Sequence, residues 1–417
     1  MVSAGIESMN IFGGVASLDV QKLAVHRNLD SGRFENLLMK EKAVALPYED
    51  PVTFGVNAAL PILKKLSKDD IERIELLITC TESGIDFGKS LSTYIHHYLQ
   101  LPRNCRLFEI KQACYAGTAG FQMALNFILS QTSPGAKALV ITTDISRFMV
   151  VEGGVTPDWS YAEPSSGAGA VALLVSEKPN VFQVDVGANG YYGYEVMDTC
   201  RPVPDEDAGD SDLSLMSYLD CCENAFLEYQ KRVSGVDYRD TFQYLTFHTP
   251  FGGMVKGAHR TMMRKMNKAK PNEIEEDFQQ RVMPGLTLCQ RVGNIMGGTI
   301  FLSLASTIEN GEVNDAKRIG CFSYGSGCCS EFYSGIVTPE SKKIIESFKY
   351  AKGLDSRYKL SIPEYEKVLR NSHTVKFGTR NVEIDHKFIP EAIELSKGKN
   401  HLFLKRISEF HREYEWV

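Results

Sequence analysis

The stretch Arg106-Leu107-Phe108-Glu109-Ile110-Lys111-Gln112-Ala113-Cys114-Tyr115-Ala116-Gly117-Thr118-Ala119-Gly120 reads as a strand, a short turn and the start of a helix. Residues 106–110 form a compact β-rich run, and the small and apolar residues after Cys114 extend far enough for a helix. The same alternation recurs at residues 74–79 and 137–142, each flanked by a helix-length segment, which predicts an α/β chain with a mainly parallel sheet. Gly167-Ala168-Gly169-Ala170-Val171-Ala172-Leu173-Leu174-Val175 reads as a further buried strand near the end of the first half. Phe322-Ser323-Tyr324-Gly325-Ser326-Gly327 occupies a comparable place late in the second.

The two halves rhyme elsewhere. The strand ending near Thr79 runs into Thr81-Glu82-Ser83-Gly84 and a helix, and residues 244–247 run into His248-Thr249-Pro250-Phe251-Gly252 and a helix. A turn of small residues then opens a second helix, at residues 113–120 and again at Gly293-Asn294-Ile295-Met296-Gly297-Gly298. This pattern suggests an internal duplication, with a first half over residues 1–180 and a second over 181–417. In such a fold, polar residues beyond the C-terminal ends of parallel strands converge on one crevice, so Glu82, Cys114, His248 and Asn294 are expected to face a common space. Residues 189–212, rich in Gly, Asp, Pro and Tyr, read as a long loop covering that space. From Pro339 onward the spacing is largely helical and suggests no chemistry.

With 417 residues, 43% of them hydrophobic, the chain can bury a large core. A net charge of −6 gives no general attraction to nucleic acid. The N-terminus lacks the pattern of a signal peptide and no run is long enough to span a bilayer, so a cytoplasmic protein is expected. The ten cysteines show no C-x-x-C spacing, and most read as buried apolar thiols. His96 and His97 have no carboxylate or cysteine at ligand spacing, and no phosphate-binding loop or dinucleotide fingerprint occurs. Neither metal nor nucleotide cofactor is expected.

Cys114 near a helix N-terminus is placed where backbone N–H groups favour a thiolate. A buried structural cysteine accounts equally well for that position alone; the companions decide between the two. Accepting an acyl group requires proton management, and drawing a carbanion from an acetyl group requires a base near its methyl carbon. The duplication places His248 and Glu82 for these tasks, although singly each has a structural or solvated explanation. The turn Gly325-Ser326-Gly327 permits a close backbone approach and, with the amide of Cys114, could form an oxyanion hole. Lys256, Arg260, Arg264 and Lys268 recur every four residues and share one helix face, suited to a phosphate or an acidic protein, or simply to solvent.

Several of these segments together resemble the hydroxymethylglutaryl-CoA synthase family. They are Thr81-Glu82-Ser83-Gly84-Ile85-Asp86, residues 108–117, Phe247-His248-Thr249-Pro250, Arg291-Val292-Gly293-Asn294 and residues 322–327. The resemblance runs over nearly the whole chain. It implies a thiolase-like fold, two duplicated α/β halves layered α-β-α-β-α, in a homodimer. It further implies that Cys114 carries an acetyl group, Glu82 removes a methyl proton, His248 serves the acceptor ketone and thioester exchange, and Asn294 positions the acceptor.

The chain departs from primary-metabolic members at Gly253 and Gly257, where these commonly carry lysines, and at Thr199 and Cys200, where aromatic residues are usual. If those lysines hold coenzyme A, their loss points to thioesters carried on phosphopantetheine without the nucleotide. The chain resembles the family branch that installs β-branches in polyketides, taking acetyl and β-ketoacyl groups from acyl carrier proteins. Arg33, with Lys256, Arg260, Arg264 and Lys268, then becomes a candidate for carrier-protein or phosphopantetheine binding. The alternatives are a synthase acting on coenzyme A thioesters and a carrier-binding scaffold without catalysis.

Overall fold

The computed structural model describes residues 3–146, 162–203 and 206–417. Its first half runs β1 (Gly5–Phe12), α1 (Pro51–Leu63), β2 (Ile74–Cys80), α2 (Ser92–Tyr98), β3 (Arg106–Ile110), α3 (Ala116–Leu129), β4 (Lys137–Ile145) and β5 (Ala168–Ser176). The second half begins with β6 (Phe182–Gly193), a hairpin of β7 (Thr199–Val203) and β8 (Glu206–Gly209), and α4 (Ser211–Arg232). It continues with β9 (Tyr244–Phe247), α5 (Gly252–Asn267), α6 (Thr299–Asn310), β10 (Lys317–Gly325) and β11 (Cys329–Val337), and the chain ends in a hairpin of β12 (Leu402–Ser408) and β13 (His411–Trp416).

The sheet order is β9-β10-β11-β6-β1-β5-β4-β2-β3. Strands 1, 5, 4 and 2 of the first half correspond in order and direction to strands 6, 11, 10 and 9 of the second. In each set the first two pairings are antiparallel and the third is parallel. The topological repeat changes over between β5 and β6. Among the described residues, two register pairs, Gly5 with Gln183 and Ile6 with Phe182, join the half-sheets.

Two expectations are corrected here. The sheet is mixed, with antiparallel pairs at its centre, because each half closes on a strand that returns beside its first. Residues 167–175 correspond to β11, not to residues 322–327, which continue β10; short apolar runs look alike in sequence, and only pairing direction separates them.

Alternation along the strands builds the layers. In β4, Thr143 Oγ1 donates to Pro51 O of α1 at 2.6 Å, and Ile141 lies against Gly55 of the same helix. Val140 and Thr142 point the other way, against Gly120 and Gly117 of α3. In β11, Phe332 packs on Phe226 and Tyr229 of α4, whereas Tyr333 packs on Phe121 of α3, and Phe121 in turn meets Phe301 of α6. Helices α3 and α6 thus form the middle layer between the half-sheets, with α1 and α4 outside. Asp50 starts α1 with a capping box shared with Thr53, which fixes the outer helix of the first half.

The C-terminal region is helical over Pro339–Glu346, Tyr350–Asp355, Ile362–Asn371 and Pro390–Glu394, as its spacing suggests, but it ends in the β12–β13 hairpin, which the spacing does not show. Leu402 exchanges hydrogen bonds with the Asn57 side chain, at 2.8 and 3.2 Å. Arg412 Nη1 and Tyr414 Oη both donate to Asp50 Oδ2 at 2.8 Å. The β12–β13 hairpin is thereby fastened to the first half, beside the loop that follows β2.

Candidate functional site

Glu82 leaves the end of β2 and Cys114 precedes α3, while His248 and Asn294 occupy the corresponding places after β9 and before α6. Backbone contact brings the two helix-opening turns together: a β-carbon at Gly117 would lie 2.1 Å from the carbonyl oxygen of Gly297. Glycine at both positions permits this approach. On the neighbouring side, a β-carbon at Gly325 would stand 2.5 Å from the backbone nitrogen of Tyr115, so the turn carrying Ser326 abuts the start of α3.

Cys114 Sγ donates to Glu82 Oε1 at 3.1 Å. Burial, followed by the charge and hydrogen bond of Glu82, pushes this thiol well above its ordinary range. The thiolate expected from the helix terminus is therefore not the resting state; a carboxylate in contact outweighs the weak field of one helix end. Glu82 itself is raised by burial, opposed by the nearby guanidinium of Arg201.

Beneath Glu82 lies a carboxylate that the sequence reading missed. Asp144 Oδ1 accepts from Thr81 Oγ1 at 3.0 Å, Glu82 N at 2.8 Å, and Ser83 N and Oγ, each at 3.0 Å. These bonds fix the turn that aims Glu82. Burial first, and Glu82 second, push Asp144 up to about 7. The available signal was an acidic residue next to the end of a strand, β4, whose middle is apolar.

His248 is buried, and its backbone N–H donates to Phe322 O at 2.7 Å. Tyr218 Oη of α4 donates to its carbonyl at 2.6 Å. Burial pushes the imidazole down to about 3, so it is neutral at physiological pH, and Nδ1 has no partner among the described residues. A neutral ring with a spare nitrogen can take or give a proton on a bound molecule. Asn294 Oδ1 accepts from Met296 N and Thr299 Oγ1, each at 2.9 Å, which orients its amide at the head of α6.

The turn at residues 325–327 is held from below by buried Asp198, which accepts from Tyr324 Oη at 2.5 Å and Gly327 N at 2.9 Å. Residues 189–212 are mostly strand rather than loop: β6 runs to Gly193, and the β7–β8 hairpin follows, with residues 204 and 205 outside the described set. The hairpin does reach the site. Arg201 Nη1 donates to Glu82 O at 3.1 Å, and its Nε pairs with Asp207 at 2.8 Å. A cleft beside Glu82 is lined by Ser83, Arg201 and Asp207 together with Lys376, Phe377 and Arg412. The C-terminal region, to which the sequence assigned no chemistry, supplies part of this wall.

The basic stripe is shorter than its spacing suggests. Arg260 and Arg264 are exposed on α5, but Lys256 is paired with Glu275 at 2.8 Å. Lys268 ends the helix in a left-handed conformation and leaves its face. Arg33 lies on the short helix Ser31–Glu35, which is joined to the start of α5: Gly252 N donates to Leu37 O at 2.9 Å, and Phe251 packs against the apolar cluster of Val20, Ala24, Phe34 and Leu37. At Gly253 a β-carbon would lie 1.9 Å from Asn36 O, so a side chain is sterically excluded there; at Gly257 the space is open.

The family models for the hydroxymethylglutaryl-coenzyme A synthase N terminal and C terminal match residues 2–180 and 258–416. The chain is 71% identical, over the full length of both proteins, to the polyketide biosynthesis 3-hydroxy-3-methylglutaryl-ACP synthase PksG of Bacillus subtilis. It is 33% identical to the hydroxymethylglutaryl-CoA synthase of Enterococcus faecalis, covering 88% of this chain and 91% of that one. The crystal structure of the curacin biosynthetic pathway HMG synthase in complex with acetyl donor-ACP superposes with a TM-score of 0.97 at 66% identity, all of both chains being covered.

Proposed function

Because the chain belongs to the hydroxymethylglutaryl-coenzyme A synthase family, we propose that it condenses an acetyl group held on Cys114 with a β-ketoacyl group borne by an acyl carrier protein. The product is a 3-hydroxy-3-methylglutaryl-type thioester for polyketide β-branching. The observation that carries the reading is the 3.1 Å contact between Cys114 Sγ and Glu82 Oε1, because the methyl carbon of an acetyl thioester on that sulfur is two bonds from Sγ and lies beside the same carboxylate.

The thiol of Cys114 attacks the acetyl thioester, its proton passes to a neighbouring base, and the donor's phosphopantetheine thiol leaves protonated. The carbonyl oxygen of the new thioester is placed against the backbone N–H groups of Cys114 and Ser326. Glu82 then removes a methyl proton; its raised pKa matches a base that must also be regenerated. The enolate adds to the β-ketone carbon of the acceptor, whose developing alkoxide receives a proton from the side served by His248 and Asn294. Water finally hydrolyses the bond to Cys114, releasing a carboxylate on a product still attached to its own carrier.

Acetyl-donor and β-ketoacyl-acceptor carrier proteins are the partners in this reading, with no cofactor beyond the phosphopantetheine of the substrates. The joined surface of Arg33 and α5, presenting Arg260 and Arg264, supports docking of an acidic carrier. The donor-carrier complex of the curacin relative supports the same choice. The edge strand β3 offers an open hydrogen-bonding edge to a second copy, consistent with a homodimer. No helix among the described residues is long and apolar enough to cross a membrane, and the cytoplasm is the proposed location.

Turnover of acetoacetyl-carrier protein and acetoacetyl-CoA by the same preparation tests the reading. Preference for the carrier substrate, reduced by charge reversal at Arg33 and Arg260, supports it. Equal or better turnover of acetoacetyl-CoA assigns the protein to coenzyme A chemistry, and no turnover of either leaves a scaffold.

A further inference from the structure

Glu331 lies in β11 with 2% of its surface exposed, on the face turned toward α3. Three side chains donate to its carboxylate: Tyr115 Oη to Oε2 at 2.7 Å, Gln122 Nε2 to Oε1 at 2.8 Å, and Asn189 Nδ2 to Oε1 at 3.1 Å. Burying a carboxylate is costly, and an apolar residue would fill the same space without requiring three partners. The arrangement makes sense through what the partners belong to. Tyr115 follows Cys114 and caps the start of α3, and Gln122 lies farther along the same helix. Glu331 itself stands opposite Ser323 in the β10–β11 hairpin, whose turn carries Ser326. One carboxylate therefore ties the nucleophile's helix, from the first half of the chain, to the turn contributed by the second.

We propose that Glu331 is a positioning residue, setting the spacing between Cys114 Sγ and the backbone N–H of Ser326 in the turn at residues 325–327. It acts through Tyr115 and Gln122 and touches no substrate. The inference rests on the acetyl-transfer reading above, in which that turn stabilises the thioester oxyanion. Substrate carbonyl placement depends on this spacing. Reaction of the sulfur with a small alkylating agent does not.

The test compares the native protein with Glu331→Gln, which keeps the shape of the side chain and removes its charge, with Tyr115→Phe, and with the double variant. Two rates are measured: single-turnover acetylation of Cys114 at saturating acetyl-carrier protein, and alkylation of Cys114 by iodoacetamide. In Glu331→Gln the acetylation rate is expected to fall about 10- to 100-fold, with the half-saturating donor concentration and alkylation rate unchanged. The double variant is expected to be no slower than Glu331→Gln alone, because both substitutions cut one link. Acetylation of Glu331→Gln within about twofold of native overturns the proposal, as does a parallel loss of alkylation, since that places the defect in the nucleophile. Should Glu331→Gln fail to fold, Tyr115→Phe must show the split by itself, and native-like acetylation there overturns the proposal. A native protein that accepts no acetyl group sinks the parent reading and this one with it. Normal native acetylation with an unaffected Glu331→Gln sinks the positioning role alone.

Discussion

Substituting Gly117 by alanine perturbs the junction of the two duplicated turns without touching a reactive group. The added β-carbon would lie 2.1 Å from Gly297 O and 2.9 Å from Thr142 Cγ2. Carbon and oxygen in ordinary contact stand about 3.4 Å apart or more, so the turns carrying Cys114 and Asn294 must separate by about 1 Å. Overpacking of this kind costs about 1–3 kcal/mol, partly offset by up to about 1 kcal/mol from replacing glycine within a helix. The net loss, about 0–3 kcal/mol, is small enough for the protein to remain folded. A displacement of about 1 Å between reacting groups, in contrast, slows chemistry by about 100-fold. The assay is single-turnover acetylation of Cys114 followed by intact mass, with a urea titration on the same samples. Gly257→Ala serves as the control, because a β-carbon there meets nothing within 4 Å. Acetylation of Gly117→Ala within about threefold of native would refute the argument that this contact sets the site. Equal impairment of Gly257→Ala would do the same.

Three further outcomes follow from the electrostatics. Because burial and then the Glu82 carboxylate hold the Cys114 thiol up, Glu82→Gln should remove the second cause, increase the thiolate fraction and speed alkylation by iodoacetamide at pH 8 by about tenfold for each pKa unit relieved; slower alkylation would contradict the contact. Asp144 is raised to about 7 in the folded protein, so between its unfolded value and pH 7 the native state holds a proton that the unfolded chain has lost, and its contribution to stability falls as pH rises. Asp144→Asn should remove that slope, so its urea midpoint relative to native should climb between pH 5 and pH 8, and a constant difference would count against the shift. Arg201 opposes the rise of Glu82, so Arg201→Gln should move the acid limb of methyl-proton exchange in the bound acetyl group to higher pH, and a move to lower pH would remove Arg201 from this role.

The duplication was legible because each half repeats a strand, a polar exit residue and a helix opened by small residues. That pattern led to Glu82, Cys114, His248 and Asn294, whose places correspond pairwise across the fold. The strand at residues 106–110 was found at its observed bounds because its edge position leaves a short, bounded run. Strand direction was not legible: β5 is an apolar run and β11 a mixed one interrupted by Ser330, Glu331 and Ser334, yet both are buried almost throughout, and nothing local distinguishes antiparallel return from parallel crossover. Asp144, Asp198 and Glu331 were missed because each works by accepting hydrogen bonds from segments distant in sequence. The β12–β13 hairpin escaped for a related reason. Its anchor, Asp50, lies more than 350 residues away, at the cap of α1. Lys256 reads as a free cation in sequence, and only the fold brings Glu275 to it.

In the proposed reaction Cys114 accepts an acetyl group from a carrier protein. Intact-protein mass after brief incubation with acetyl-carrier protein, and separately with acetyl-CoA, tests this directly in the native protein and in Cys114→Ala. Rapid gain of one acetyl group from the carrier, slow or no gain from acetyl-CoA, and no gain by the variant are the expected results. Acetylation that persists in Cys114→Ala, or that proceeds as fast from acetyl-CoA, would contradict the proposed reaction.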